Sequence, residues 1–227
     1  MSGLCVEQER FAAYIAHELR TPLATQRALL ELALADPSAD AATWREIGGD
    51  VLGACMQQER LLEACLTLAR SQGSPPRCER VDLAAITCDA LQAHDLGELG
   101  TVVALEPART AGDPDLLERL AANLVSNAIR HNIAGGWIEV ATRVESGRAV
   151  LSVANTGLPI PAGELHRLFQ PFERLSSHTD LAGDGVGLGL AIVHEIASAH
   201  DATITARART GGGLGIDVAF PLSTERN

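Results

Sequence analysis

Residues 113–131 read DPDLLERLAANLVSNAIRH and predict one long amphipathic helix. Asp113 suits the N-cap, and Pro114 suits the first helical position because no backbone N–H donor is needed there. Two neighbouring stripes then recur at helical spacing. The apolar stripe contains Leu117, Leu120, Leu124 and Ala128, and the polar stripe contains Asn123, Asn127, Arg130 and His131.

The polar stripe is suited to a bound magnesium–phosphate group. Asn123 and Asn127 lie one turn apart, and two side-chain amides are costly to bury without partners. Amide oxygens suit a hard cation, and the guanidinium of Arg130 suits phosphate oxygens. A network of buried amides is the alternative interpretation, and the two asparagines alone do not decide between them.

Outside this helix the remaining pattern from residue 79 onward mixes helical and strand periodicity. It predicts an α/β sandwich, in which a mixed sheet is covered by helices on one face. Further helices are expected near 82–94, 162–168 and 187–200, and strands near 101–105, 136–144, 148–154, 202–208 and 214–220.

The first part of the chain predicts two long helices, at about 5–35 and 41–70, joined by a short break. One antiparallel hairpin cannot cover its own apolar stripe, whereas two copies form a four-helix bundle, so a homodimer is expected. The proline-containing segment 71–78 is interpreted as a linker. The expected domains are therefore a hairpin at 5–70 and an α/β domain at 79–222.

His17 is a candidate nucleophile on the first helix. It lies roughly 200° around the helix from the apolar stripe, so the imidazole is expected to face solvent. Glu18 is placed either to accept a proton or to orient the ring, and Thr21 shares the His17 face one turn later. An ordinary surface histidine is the alternative, and only the second domain favours the functional interpretation.

Composition removes several classes of function. The formal net charge is −11, which disfavours nucleic acid as a partner. All 18 basic residues are arginine, which excludes a Walker A loop, the Ser/Thr/Tyr protein-kinase fold and pyridoxal enzymes, since each needs a lysine. The widely spaced cysteines support neither a zinc site nor a disulfide framework. Neither a signal peptide nor an apolar run of about 18 residues is expected.

Three further motifs follow in order. Asn155-Thr-Gly157 ends a strand, and two phenylalanines, Phe169 and Phe172, stand three residues apart as a local anchor or as the hinge of a lid. A Gly-rich turn then leads into a helix, where backbone N–H groups can approach phosphate. Its G-x-G-x-G spacing after a polar segment argues against a dinucleotide-binding fold, and its members are Gly185, Gly187, Leu188 and Gly189.

In this order the motifs resemble the conserved boxes of the sensor histidine kinases of two-component systems. The resemblance covers about residues 5–222, through the H box 17–22, the N box 123–128, the G1 box 155–157, the F box 169–172 and the G2 box 185–190. It implies a dimerisation and histidine-phosphotransfer domain, followed by an ATP-binding domain of the Bergerat type. It therefore implies an ATP-dependent protein histidine kinase.

The resemblance also implies roles for the residues. ATP and Mg²⁺ are the cofactors, with Asn127 as the metal ligand and His17 as the group that attacks the γ-phosphate. The phosphoryl group then passes to an aspartate in the receiver domain of a response regulator, and Thr21 implies a phosphatase activity toward that partner. The remaining nucleotide contacts fall to Asn123, Arg130, His131, Asn155, Gly157, Phe169, Phe172, Gly185, Gly187, Leu188 and Gly189.

Asn155 departs from the family pattern, which has aspartate there to bind the adenine amino group. An amide oxygen also accepts that bond, and the amide NH₂ is free to donate to a ring nitrogen, so Asn155→Asp is expected to preserve or improve ATP binding. Pro159 departs as well, since glycine is usual there.

Three other functions stay open at this point. A degenerate kinase would act as a nucleotide-binding dimeric scaffold, and the altered G1 box favours it. The hairpin disfavours a chaperone or topoisomerase ATPase, and the five boxes disfavour a ligand-free dimerisation protein. Family resemblance further implies the cytoplasmic portion of an inner-membrane sensor, attached only through an upstream region absent from this chain.

Overall fold

The computed structural model describes two compact units, which divide between Cys65 and Leu66. None of the helices in its described ranges combines the length and hydropathy that a membrane span needs. Those ranges are residues 2–73, 77–171 and 187–223, apart from the side chains of 2–18, 57, 60, 63–65, 67–73 and 162.

The first unit contains most of the predicted helical hairpin, which is formed by α1 (Ser2–Ala35) and α2 (Ala41–Gly73), and the boundary between the units falls within α2. Helix α1 continues through Pro22, and α2 continues three residues beyond the expected end at Arg70. The connecting turn satisfies its own backbone. Asp40 caps α2 because its Oδ1 accepts the backbone N–H of Thr43 at 2.9 Å.

A polar contact fixes the register of the two hairpin helices. Gln26 is buried on α1, and its Nε2 donates to Oε1 of Gln58 on α2 at 3.3 Å. Gln58 Nε2 in turn donates to the carbonyl oxygen of Leu19 at 3.1 Å. Because a buried amide needs these partners, sliding one helix past the other would leave Gln26 unsatisfied.

The second unit is the expected α/β sandwich. Its five-stranded sheet has the order β2-β4-β5-β7-β6, in which β2 and β4 are parallel and the other pairs are antiparallel. The mixed sheet is therefore confirmed. Its strands are β2 (Gly100–Leu105), β4 (Trp137–Glu145), β5 (Arg148–Asn155), β6 (Thr203–Ala208) and β7 (Leu214–Pro221).

Two short strands were not predicted from the sequence. They are β1 (Glu79–Asp82) and β3 (Arg109–Gly112), which pair antiparallel with each other. Four residues with one or two buried side chains are too short to show an alternating pattern. Asp82 then caps the next helix, since its Oδ1 accepts the backbone N–H of Ala84 at 3.0 Å.

The helices of the unit are α3 (Leu83–Gln92), α4 (Pro114–Arg130) and α5 (Gly189–Ala199), and α4 packs against α3, α5 and β5. The apolar stripe of α4 is buried as expected, which places this helix at the centre of the core. One expected α-helix differs: Ala162–Phe169 forms a 3₁₀-helix, without a side-chain cap at Pro161.

Candidate functional site

Helix α4 is held at its start by side chains from two directions. Asp113 Oδ1 accepts the backbone N–H of Asp115 at 3.1 Å, which is the predicted N-cap. The backbone N–H of Asp113 donates to Nε2 of His200 at 3.0 Å, and Nδ1 of this buried histidine lies 2.7 Å from the Ile196 carbonyl oxygen. The end of α5 therefore fixes the start of α4.

Asn123, the first residue of the polar stripe of α4, lies beside the start of α5. A Cβ atom added at Gly189 would lie 3.5 Å from Oδ1 of Asn123, whose Nδ2 donates to the Arg119 carbonyl oxygen at 2.9 Å. Gly187 has a φ of 74°, and no side chain caps the start of α5. Backbone N–H groups at this helix start are thus placed beside Asn123, an arrangement that suits phosphate.

Asn127 lies one turn further along α4 and is half-buried. Within the described ranges its side-chain amide makes no hydrogen bond, so its oxygen is suited to a metal ligand. The same ranges hold no cluster of three or more His, Cys, Asp or Glu side chains that suits a metal. A magnesium ion here would depend on the Asn127 amide and on the phosphates of a nucleotide. Arg130 is exposed on the next turn.

The opposite end of α4 meets the turn that follows β5. Asn155 is only 3% exposed, and its Nδ2 donates to the carbonyl oxygens of Thr156 at 2.6 Å and His131 at 3.4 Å. The reverse amide orientation would place Oδ1 against these carbonyl oxygens, which is repulsive, so the orientation is determined. The acceptor Oδ1 is the atom that remains for a ligand.

This hydrogen bonding corrects one expectation about Asn155 and bears on a second, the effect of Asn155→Asp on binding. Its NH₂ group is already used by the protein, so it is not free to donate to a ring nitrogen of a base. Asn155→Asp would replace a donor by a carboxylate oxygen beside two carbonyl oxygens, which argues against intact or improved binding.

Three glycines allow the turn to approach its neighbours closely. A Cβ atom at Gly157 would lie 2.7 Å from the His131 carbonyl oxygen. Gly212 and Gly213, in the turn between β6 and β7, have φ values of 102° and 101°, and added Cβ atoms would overlap the carbonyl oxygens of Gly157 and Asn155. These two residues were not predicted as part of the site, although three consecutive glycines at 211–213 indicate such a turn.

Some of the other expected site residues lie within the described part of the structure and others lie outside it. Leu188 is buried before α5, and the Phe169 ring lies 6.4 Å from the His194 ring of α5, so the 3₁₀-helix is anchored there. Thr21 is exposed on α1. Phe172 and Gly185 lie outside the described residues, and so do the side chains of His17 and Glu18, whose backbone belongs to α1.

Two family models match the chain in separate ranges. One is described as the histidine kinase-, DNA gyrase B- and HSP90-like ATPase and matches residues 112–224. The other is described as the His kinase A phospho-acceptor domain and matches residues 7–74. The second range contains His17, and the first contains every expected nucleotide contact. The chain belongs to the sensor histidine kinases.

Relatives agree with this family. The sensor protein CutS of Streptomyces coelicolor is 45% identical over 220 residues, which cover 95% of this chain and 53% of the relative. The sensor-like histidine kinase SenX3 of Mycobacterium bovis is 30% identical, with 95% and 54% covered. The chain thus spans about half the length of these relatives.

A solved structure shows the same fold. The histidine kinase AdeS of Acinetobacter baumannii is 24% identical and has a TM-score of 0.69, with 92% of this chain and 98% of the other covered. The predicted order of a helical domain and an ATP-binding α/β domain is therefore confirmed for the fold.

Proposed function

We propose that this chain is an ATP-dependent autokinase that phosphorylates His17. A ring nitrogen of His17 attacks the γ-phosphorus, the new N–P bond forms, and the bond to the bridging oxygen of ADP breaks. The observation that carries this proposal is the convergence on α4: Asn123 meets the start of α5, and the His131 end meets Asn155. One nucleotide lying along this helix would contact both ends.

In this proposal Asn155 recognises the base. Its Oδ1 is the available acceptor, and the adenine amino group is a donor, whereas guanine presents a carbonyl oxygen in the same position. Nucleotide selectivity would then come from one amide whose orientation is set by the Thr156 and His131 carbonyl oxygens.

The phosphates would lie at the start of α5, with Arg130 and the helix N–H groups neutralising charge. When bound, Mg²⁺ would supply positive charge that neutralises the phosphates, and Asn127 would hold it. Neutralisation and alignment account for most of the acceleration in phosphoryl transfer, so no lysine is required of this chain.

We further propose that the hairpin pairs with a second copy and that phospho-His17 passes its phosphoryl group to an aspartate of a receiver domain. Thr21 lies exposed one turn from position 17, where it would position the water that hydrolyses the phosphoaspartate of the receiver domain to aspartate and inorganic phosphate. In the longer protein this portion would be cytoplasmic, joined to a membrane-bound sensor region.

Labelling tests the first step. Wild type, His17→Gln and His166→Gln are incubated with Mg-ATP labelled at the γ-phosphate, and His166 serves as the control because it is a histidine exposed on the surface of the α/β unit. Label is expected on wild type and His166→Gln, lost in acid and kept in base, and absent from His17→Gln.

Two results would contradict the proposal. Label that persists in His17→Gln would identify a different nucleophile. Unlabelled wild type that still binds ADP would favour a nucleotide-binding scaffold.

Transfer of the phosphoryl group is tested next, by mixing the labelled protein with purified receiver domains. Receiver domains whose phospho-acceptor aspartate is changed to asparagine are the control.

A further inference from the structure

The hydroxyl group of Thr156 lies between the two residues of the proposed adenine contact, Asn155 and Gly157. Its Oγ1 accepts the backbone N–H of Trp137 at 2.8 Å and donates to Oδ1 of Asn132 at 2.6 Å. The hydroxyl therefore takes the place of a backbone acceptor for Trp137 at the end of the β4–β5 ladder. It also contacts Asn132, which lies outside the sheet.

Asn132 carries this connection to α4. Its Nδ2 donates to the carbonyl oxygens of Ala128 at 3.2 Å and Trp137 at 3.1 Å. Ala128 is the residue after Asn127 on α4. The Asn132 amide thus joins three elements, which are the last turn of α4, the start of β4 and the turn after β5.

The surroundings leave this contact little freedom. Gly136 is buried, and a Cβ atom there would overlap both Oδ1 of Asn132 and Oγ1 of Thr156. Oδ1 of Asn132 also accepts the backbone N–H of Ile133 at 2.9 Å. The Trp137 carbonyl oxygen is a second acceptor 3.3 Å from Oγ1 of Thr156, but turning the hydroxyl toward it would leave Oγ1 and Oδ1 of Asn132 facing each other at 2.6 Å without a proton between them, which is repulsive.

The same backbone orients Asn155. Its Nδ2 donates to the carbonyl oxygen of Thr156, whose side chain is fixed by Asn132, and to the carbonyl oxygen of His131, which precedes Asn132. A change in the Thr156–Asn132 contact would therefore move the two acceptors that determine where Oδ1 of Asn155 lies.

We propose that Thr156 and Asn132 are positioning residues that hold the base-binding amide of Asn155 in a fixed place relative to Asn127 on α4. This inference rests on the proposed function, because it sets the distance between the adenine and the phosphates of one bound nucleotide. Neither side chain touches the nucleotide in this arrangement, and both act through Asn155.

Thr156→Val tests the inference because valine keeps the shape and removes the hydroxyl. ADP loses its oriented Asn155 contact, and its dissociation constant is expected to rise roughly tenfold. GDP lacks a donor at the matching position, so its affinity stays unchanged, and the ratio of the GDP to the ADP dissociation constants falls by the same factor. Both are measured by competition with a fluorescent ATP analogue.

Two matched variants separate positioning from stability. Thr156→Ser keeps the hydroxyl and is expected to restore the ratio. Thr142→Val removes another buried hydroxyl of the same sheet, which donates to the Glu106 carbonyl oxygen at 2.7 Å, and should lower the melting temperature without changing the ratio. If Thr156→Val does not fold, Asn132→Ala removes the same contact from the other side.

Each outcome decides the question. An unchanged ratio in Thr156→Val or Asn132→Ala, with wild type binding ADP, would overturn this inference alone. Equal weakening of ADP and GDP would mean a purely structural role and would overturn it as well. Wild type that does not bind ADP would overturn the proposed function, and this inference with it.

Discussion

The two units of this chain bury their apolar side chains to very different extents. In the α/β unit the leucines of α4 and the inward residues of β4, β5 and β7 are almost fully buried. In the hairpin most described leucines are exposed, for instance Leu52 at 62% and Leu34 at 75%. Buried side chains there include Gln26, Ala33 and Leu61. The α/β unit completes its own core, whereas the described part of the hairpin exposes apolar side chains that a second copy would cover in the proposed dimer.

The largest effect should come from a cavity in the complete core. Leu120 on α4 is 0% exposed, and Leu120→Ala is expected to lower the free energy of unfolding of the α/β unit by about 3–4 kcal/mol. Urea unfolding followed by Trp137 fluorescence, in a Trp44→Phe background, isolates this unit because the chain has 2 tryptophans. A loss below about 1 kcal/mol, the scale of an average substitution, would show that the core is not tightly packed.

In the hairpin, a substitution of an exposed apolar residue should change the dissociation constant of the proposed dimer. Leu62 on α2 is 49% exposed in the single chain. In a homodimer that covers it, Leu62→Ser removes apolar burial twice, at about 1.5 kcal/mol each, so the dimer dissociation constant should rise about a hundredfold. Sedimentation equilibrium measures it. The control is Glu46→Ser, an exposed position on the same helix. A monomeric wild type would refute the paired hairpin.

Periodicity predicted the elements whose burial is one-sided. The apolar spacing of Leu117, Leu120 and Leu124 matched α4 closely because a long amphipathic helix repeats its signal several times. Strands β1 and β3 gave no such signal, since their pairing is a long-range contact of four residues each. Their existence depends on tertiary context rather than on local pattern.

The candidate site was predictable as a set of motifs but not as a geometry. The box residues Asn123, Asn155 and Gly157 were identified from the sequence. Gly213, Asn132 and Trp137 were not, because their roles arise from close approach between distant turns. Arg209 is a similar case, since its guanidinium lies 4.3 Å from the centre of the Trp137 ring.

A smaller effect should appear inside the self-sufficient unit, at Asn155. Asn155→Asp places a carboxylate oxygen near the Thr156 and His131 carbonyl oxygens, so ADP affinity at neutral pH should fall about tenfold. Titration calorimetry measures it. Since the contacts are internal to the α/β unit, the loss should not depend on protein concentration across the dimerisation range.

The pH dependence of ADP binding provides the control for Asn155→Asp. Those carbonyl oxygens disfavour the ionised form, which raises the pKa of the introduced carboxyl, and a protonated carboxyl can donate to them. ADP binding by Asn155→Asp should therefore recover toward wild type as pH falls. Binding that equals wild type at neutral pH would show that the turn rearranges.

The smallest effect concerns the turn between α1 and α2. The polar groups of Asp36 and Asp40 in this turn find their hydrogen-bond partners within one chain. The backbone N–H of Thr43, followed by its side chain, lowers the pKa of Asp40 below the usual 3.8. The side chain and then the backbone N–H of Ser38 lower the pKa of Asp36 in the same way. Both carboxylates are more favourable when ionised in the folded turn.

The sign of the pH dependence follows from these directions. A lowered folded-state pKa stabilises the fold fully above pH 3.8, and this contribution is lost as pH falls through the lower folded value. Asp40→Asn still caps α2 but does not titrate, so the difference in melting temperature between wild type and variant should shrink between about pH 5 and pH 2. Circular dichroism at matched protein concentration measures it. Because these contacts lie within one chain, the same shrinkage should persist when Leu62→Ser separates the copies, and its disappearance there would mean that the turn also depends on the partner.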